Sequence, residues 1–112
     1  MKLAELQKNA SRATSLLKAM ANSSRLLILC QLAEGEKSVG ELERLVDLSQ
    51  SGLSQHLALL RRKGIVATRR EAQSIYYSLA SKEAAAIMAT LYKVFCAKAT
   101  KPNPARLRQR FA

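Results

Sequence analysis

One interruption in an otherwise helical rhythm constrains this chain most. Apolar residues recur at steps of three and four through Leu3, Leu6, Ala10, Ala13, Leu17 and Met20, again through Leu53, Leu57 and Leu60, and again through Ala85, Met88, Leu91, Val94 and Phe95. That spacing sets them on one face of a helix. Only after Gly64 does the pattern change, to two short runs, 65–70 and 74–79, rich in β-branched and aromatic residues. These suit a β-hairpin. With 4 Gly and 2 Pro in 112 residues, the chain has too little turn chemistry for a sandwich, and its 48% hydrophobic content favours a compact, mainly α fold.

Capping residues divide the helical part. Asn22 or Ser23 can cap a second helix from about Ser24 to Ala33, which ends at Gly35. Ser38 with Glu41 three residues on has the form of a capping box, opening a short third helix through about Val46. Asp47-Leu48-Ser49 makes a tight turn, Ser49 caps again, and a fourth helix runs from Gln50 to Lys63 before Gly64 stops it. The connection Glu71-Ala72-Gln73 lacks the glycine that a tight hairpin favours, so a longer, mobile loop is expected there. A last helix spans 81–97. The expected order is ααααββα: one domain over 1–97, then a basic, irregular tail over 98–112 with two prolines and three arginines.

Charge narrows the partner. The net charge of +11 implies a polyanion or an anionic surface. It divides as +3 over 1–34, −2 over 35–49, +4 over 50–80, +1 over 81–97 and +5 over 98–112. No apolar run reaches the ~20 residues that span a bilayer, and the N-terminus lacks the apolar stretch of a secretory signal, so a cytoplasmic location is expected. In that reducing compartment Cys30 and Cys96 are not expected to form a permanent structural disulfide; they are inert core residues or redox-active ones.

Two short helices joined by a tight turn, the second followed by a basic hairpin, describe a winged helix-turn-helix. With the leucines inward, Gln50, Ser51, Ser54 and Gln55 cluster on the outer side of the fourth helix's N-terminal half, and Gln and Ser suit base edges in a major groove. Arg61, Arg62 and Lys63 lie farther along, placed for phosphates. Arg69 and Arg70 sit near the hairpin tip, where a wing would reach flanking backbone or minor groove. His56 lies within the expected DNA-facing segment but beside the leucine stripe; a hydrogen-bonded, partly buried histidine accounts for it better than a ligand or catalytic base. No Ser-His-Asp set, carboxylate pair, P-loop or glycine-rich cofactor motif is present, so neither an enzyme nor a cofactor is expected. A basic nucleic-acid-binding module without sequence preference remains the alternative class, distinguished by comparing a specific with a random duplex at one salt concentration.

The strings MANSSRLLIL (20–29), SVGEL (38–42), LSQSGLSQHLALLRRKGIV (48–66) and SIYYSL (74–79) closely resemble the ArsR/SmtB family of prokaryotic repressors, over roughly residues 10–97. The resemblance implies a homodimer built through the first and last helices, an inverted-repeat DNA operator, and an inducer that releases the DNA. Many members of that family sense metals. Here the third-helix metal-binding cysteine position falls on Ser38 or Val39, and the last helix offers only Glu83, so no metal site is expected. The placement of Cys30 in the second helix and Cys96 at the end of the last is instead similar to the dithiol, reactive-sulfur-sensing branch, in which persulfides or oxidants link the two thiols of one subunit. Against this, Cys96 falls at the negative end of a helix dipole, which disfavours thiolate; Lys93 and Lys98 are near enough in sequence to offset it. The same DNA-binding fold acting as an activator or anti-silencer, or with cysteines that sense nothing, stays open.

Overall fold

The computed structural model describes residues 1–96, and the basic tail expected over 98–112 lies outside them. The described elements run α1 (Leu3–Met20), α2 (Ser23–Ala33), β1 (Lys37–Ser38), α3 (Val39–Leu45), α4 (Gln50–Arg62), β2 (Val66–Glu71), β3 (Ser74–Leu79) and α5 (Lys82–Phe95). This is the mainly helical winged helix-turn-helix expected from the sequence, with one strand more.

Short polar side chains start the helices. Asn22 Oδ1 accepts from the Arg25 N–H at 3.1 Å, Ser49 Oγ from Gly52 N–H at 3.0 Å and Ser81 Oγ from Ala84 N–H at 3.0 Å. At α3 the capping box is complete: Ser38 Oγ accepts from the Glu41 N–H at 3.1 Å, and Glu41 returns a carboxylate oxygen to the Ser38 N–H at 2.9 Å. Each bond satisfies an N–H that the first helical turn leaves free.

The end of α4 sets up the wing. Gly64, at φ 73°, takes the left-handed conformation, its N–H reaches Arg61 O at 3.0 Å, and the Ile65 N–H reaches Leu60 O at 3.0 Å. This is a Schellman stop, and Leu60 and Ile65, at its two ends, are both buried in the core. The chain therefore leaves the helix in a fixed direction and enters β2 directly.

Leu53, Leu57 and Leu60 of α4 pack into one core with Ile28 and Leu29 of α2 and Leu42 of α3. Burial of each large aliphatic side chain contributes about 2 kcal/mol relative to exposure. Because α2 and α3 share that core with α4, the outer face of α4 is held rigidly.

Three expectations need correction. Ser38, expected only as a helix cap, also forms β1 with Lys37, which pairs antiparallel with β3 at Lys37↔Tyr77 and Ser38↔Tyr76 to give a sheet of order β1-β3-β2. The hairpin loop is not long: Glu71 pairs with Ser74, so Ala72 and Gln73 alone make the turn, and Ala72 adopts φ 56°. Unbroken pairing from Val66↔Leu79 to Glu71↔Ser74 outweighs the ~1–2 kcal/mol of a left-handed alanine. Finally, α5 ends at Phe95 with Cys96 as its C-cap.

The apolar stripe of α1 is largely uncovered. Met20 is buried and Leu16 half-buried, while Leu3, Leu6 and Leu17 are 69%, 51% and 52% exposed. At the other end of the chain, Tyr92 and Phe95 are 57% and 67% exposed.

Candidate nucleic-acid interface and thiol pocket

The outer face of α4 carries the side chains singled out for base contact. Gln50, Ser51, Ser54 and Gln55 are all exposed, opposite the buried leucines. Ser51, Gln55, Ala58 and Arg62 follow one another at helical spacing, so Arg62 continues the same stripe, and Arg61 lies beside it in line with Gln50 and Ser54. The N-terminus of α4 is further shaped by Gly52: a Cβ there would stand 3.0 Å from Ser49 Oγ, the capping atom. Glycine lets the cap close.

His56 is half-buried, and its Nδ1 lies 3.3 Å from Arg25 Nη1. A guanidinium only donates, so Nδ1 accepts and the neutral ring carries its hydrogen on Nε2. Arg25 also donates through Nε to Ala19 O at 2.6 Å. The pair thus ties the end of α1 and the start of α2 to the middle of α4. Arg25 lies within a family-like string, but its partner could not be inferred from it.

The two wing arginines have different surroundings. Neighbours along a strand point to opposite faces. Arg70 is exposed near the turn, whereas Arg69 is held on three sides: by Glu36, by Glu71, and by the Tyr76 ring, whose centroid lies 4.5 Å from its guanidinium carbon. The Arg69 hydrogen bond to Glu36 is the main cause holding that carboxyl below its ordinary range. Glu36 carries no local sequence signal that would have revealed this partnership.

Cys30 and Cys96 are free thiols that line one pocket of about 680 Å³, formed between α2 and α5 with Leu26, Leu79, Met88 and Phe95 among its apolar walls. Partial burial raises the Cys30 pKa above its ordinary 9.0, and negative charge at Cys96 and at Glu34 pushes it further the same way. Among the described residues, no group of three or more His, Cys, Asp or Glu side chains is placed to hold a metal ion, and no helix is long and apolar enough to cross a membrane.

Residues 22–68, which hold α2, α3, α4 and the first part of β2, match the family description "Bacterial regulatory protein, arsR family". The transcriptional activator HlyU of Vibrio cholerae is 54% identical over 96 residues, 86% of this chain and 89% of that protein. The chain belongs to the ArsR family. Like other ArsR-family proteins it is a DNA-binding transcriptional regulator and not an enzyme. The biofilm growth-associated repressor of Agrobacterium fabrum is 50% identical over 95 residues, 85% of this ArsR-family chain and 81% of the relative. Two solved winged-helix regulators share the fold. Reduced HlyU from Vibrio cholerae gives a TM-score of 0.81 at 54% identity, covering 84% of this chain and 99% of that one. The repressor BigR from Xylella fastidiosa gives 0.77 at 43% identity, covering 87% and 99%.

Proposed function

We propose that this ArsR-family regulator is a cytoplasmic homodimeric repressor that releases an inverted-repeat operator when Cys30 and Cys96 become joined by a persulfide or a related oxidant. The observation that carries the sensing half is the shared pocket: α2 and α5 bring the two thiols to one cavity, close enough for Cys96 to oppose the ionisation of Cys30. The chemistry balances in two exchanges. One cysteine takes the outer sulfur of a hydropersulfide RSSH and releases RSH; the second displaces hydrogen sulfide from the resulting cysteine persulfide and leaves a Cys30–Cys96 disulfide. A longer sulfur bridge consumes one further hydropersulfide, with release of RSH, for each additional sulfur atom, and mass spectrometry reads the number directly.

On the DNA side, Gln50, Ser51, Ser54 and Gln55 contact base edges, His56 flanks them from the Arg25 side, and Arg61, Arg62 and Arg70 neutralise phosphates. Dimerisation is supported by the uncovered leucines of α1 together with Tyr92 and Phe95 of α5, apolar area that one subunit leaves in water.

The test uses a duplex selected by the wild-type protein from a randomised pool. A persulfide donor is expected to abolish binding, and Cys30→Ser is expected to bind as wild type yet ignore the donor. Normal release of Cys30→Ser would overturn the dithiol mechanism. A second reading, activation by displacing another DNA-bound protein, is favoured by the activator HlyU being among the relatives; competition with a nucleoid silencer at one promoter separates the two.

A further inference from the structure

Arg69 lies in the wing, where a basic side chain ordinarily reaches for DNA, but each of its three side-chain nitrogens already donates to a carboxylate. Its Nε donates to both Glu36 carboxylate oxygens at 3.0 and 2.8 Å, Nη2 donates to Glu36 Oε1 at 2.7 Å, and Nη1 donates to Glu71 Oε2 at 2.8 Å. The fork geometry is the one that suits a carboxylate best. Strand register explains the reach. Tyr76 of the middle strand pairs with Arg69 on one side and Ser38 on the other, and Glu36, two residues before Ser38, falls on the same face by alternation. The guanidinium therefore passes over the Tyr76 ring and meets its carboxylate beyond the far edge of the sheet.

We propose that Arg69 is a positioning residue and not a phosphate contact. With Glu36 and Tyr76 it ties β2 across β3 to the residue just before β1 and thereby fixes the wing to the segment that follows α2, so that Arg70 and the hairpin tip stand at a set distance from α4. Two carboxylates around one guanidinium leave the cluster with a net negative charge, which repels phosphate. A clasp of this kind contributes little to global stability, because the ion pair is open to solvent, with Arg69 and Glu36 side chains 50% and 34% exposed. Its effect is on geometry. The proposal rests on the DNA-binding role of the family and is independent of the thiols.

The two roles give opposite signs in one experiment, with the wild-type-selected duplex as probe. If Arg69 clasps, Glu36→Gln and Arg69→Gln each weaken binding by roughly three- to ten-fold. Their double variant is then no weaker than either single one, since both remove the same device. Arg69→Lys, which keeps the charge and loses the fork, weakens binding like Arg69→Gln. The slope of log K against log salt stays at the wild-type value in all of them, while Arg70→Gln lowers it by about 0.9. Binding to a random duplex and the melting temperature serve as readouts that loss of folding would move and loss of wing position would not. Tighter binding by Glu36→Gln would mean that Glu36 competes with DNA for Arg69. That result, a slope lowered by about 0.9 in Arg69→Gln, full binding by Arg69→Lys, or wild-type affinity in both glutamine variants would each overturn the proposal.

Discussion

Arg25 donates to His56 Nδ1 across the boundary between α2 and α4, at 3.3 Å, and the same guanidinium closes on Ala19 O at 2.6 Å. Arg25→Ala removes both bonds from a partly buried setting. A hydrogen bond from a charged group contributes about 1.5–3 kcal/mol, so a loss of about 2 kcal/mol in unfolding free energy is expected, measured by denaturant titration. The histidine hydrogen moves with it: long-range ¹H–¹⁵N spectra of the wild type at pH 8 should show hydrogen on Nε2, and Arg25→Ala should mix the tautomers.

The start of α4 offers a change of sign. Gly52→Ala in the wild type drives a Cβ to 3.0 Å from the capping hydroxyl of Ser49, so the displaced cap, at about 1–2 kcal/mol, outweighs alanine's own helix preference and the net change is a loss. Once Ser49→Ala has removed that hydroxyl, the same substitution gains the helix preference of alanine over glycine, up to about 1 kcal/mol. Chemical denaturation of the four proteins of this cycle checks it; additive effects would contradict the crowding.

Ala72 at φ 56° carries strain that glycine lacks. Ala72→Gly is expected to stabilise by about 0.5 kcal/mol after glycine's own entropy cost, and Ala72→Val, β-branched at positive φ, to destabilise by more than that. Melting temperatures should fall in the order glycine, alanine, valine.

Glu36 and Glu41 share a dependence on pH. Hydrogen bonds from Arg69 lower the first carboxyl; those from the Ser38 backbone and hydroxyl lower the second, both from an ordinary value of 4.5. A carboxyl with a folded pKa below its unfolded one stabilises the fold above the unfolded value, and that contribution is lost as pH falls through the folded one. Both carboxyls are open to solvent, so thermal melts should show only a small loss of stability as pH drops below 4.5, carried mainly by the Glu41 cap and removed in Glu41→Gln.

Cys30 reacts as a thiol held back from ionising. Its alkylation by iodoacetamide should be slow at pH 7 and rise with a midpoint above 9.0; Glu34→Gln and Cys96→Ser should each bring that midpoint down. Rates read by mass spectrometry at several pH values decide this, and an unchanged midpoint in both variants would contradict the electrostatic coupling.

Much of this was legible beforehand where the signal is local. The leucine stripe of α4, the caps at Asn22, Ser38 and Ser49 and the glycine stop at Gly64 each need only a few neighbouring residues to be recognised, and each is present. What escaped depends on distant parts of the chain. Two residues show no period, so Lys37–Ser38 as a strand is visible only through its pairing with Tyr76 and Tyr77. Alanine gives no turn signal, and the tight loop at Ala72 is imposed by the strands on either side. The charge of Arg69 is plain in the sequence, but Glu36 comes to it through the sheet. The apolar stripe of α1 was equally plain; that its leucines find no cover within the subunit is a fact of packing.

Only Gly35, at φ 142°, separates Glu34, the C-cap of α2 beside the thiols, from Glu36, the anchor of the wing. A helix is stiff along its axis, and a joint one residue long absorbs little. Any displacement of α2 along its axis therefore reaches the wing's mooring after a single residue.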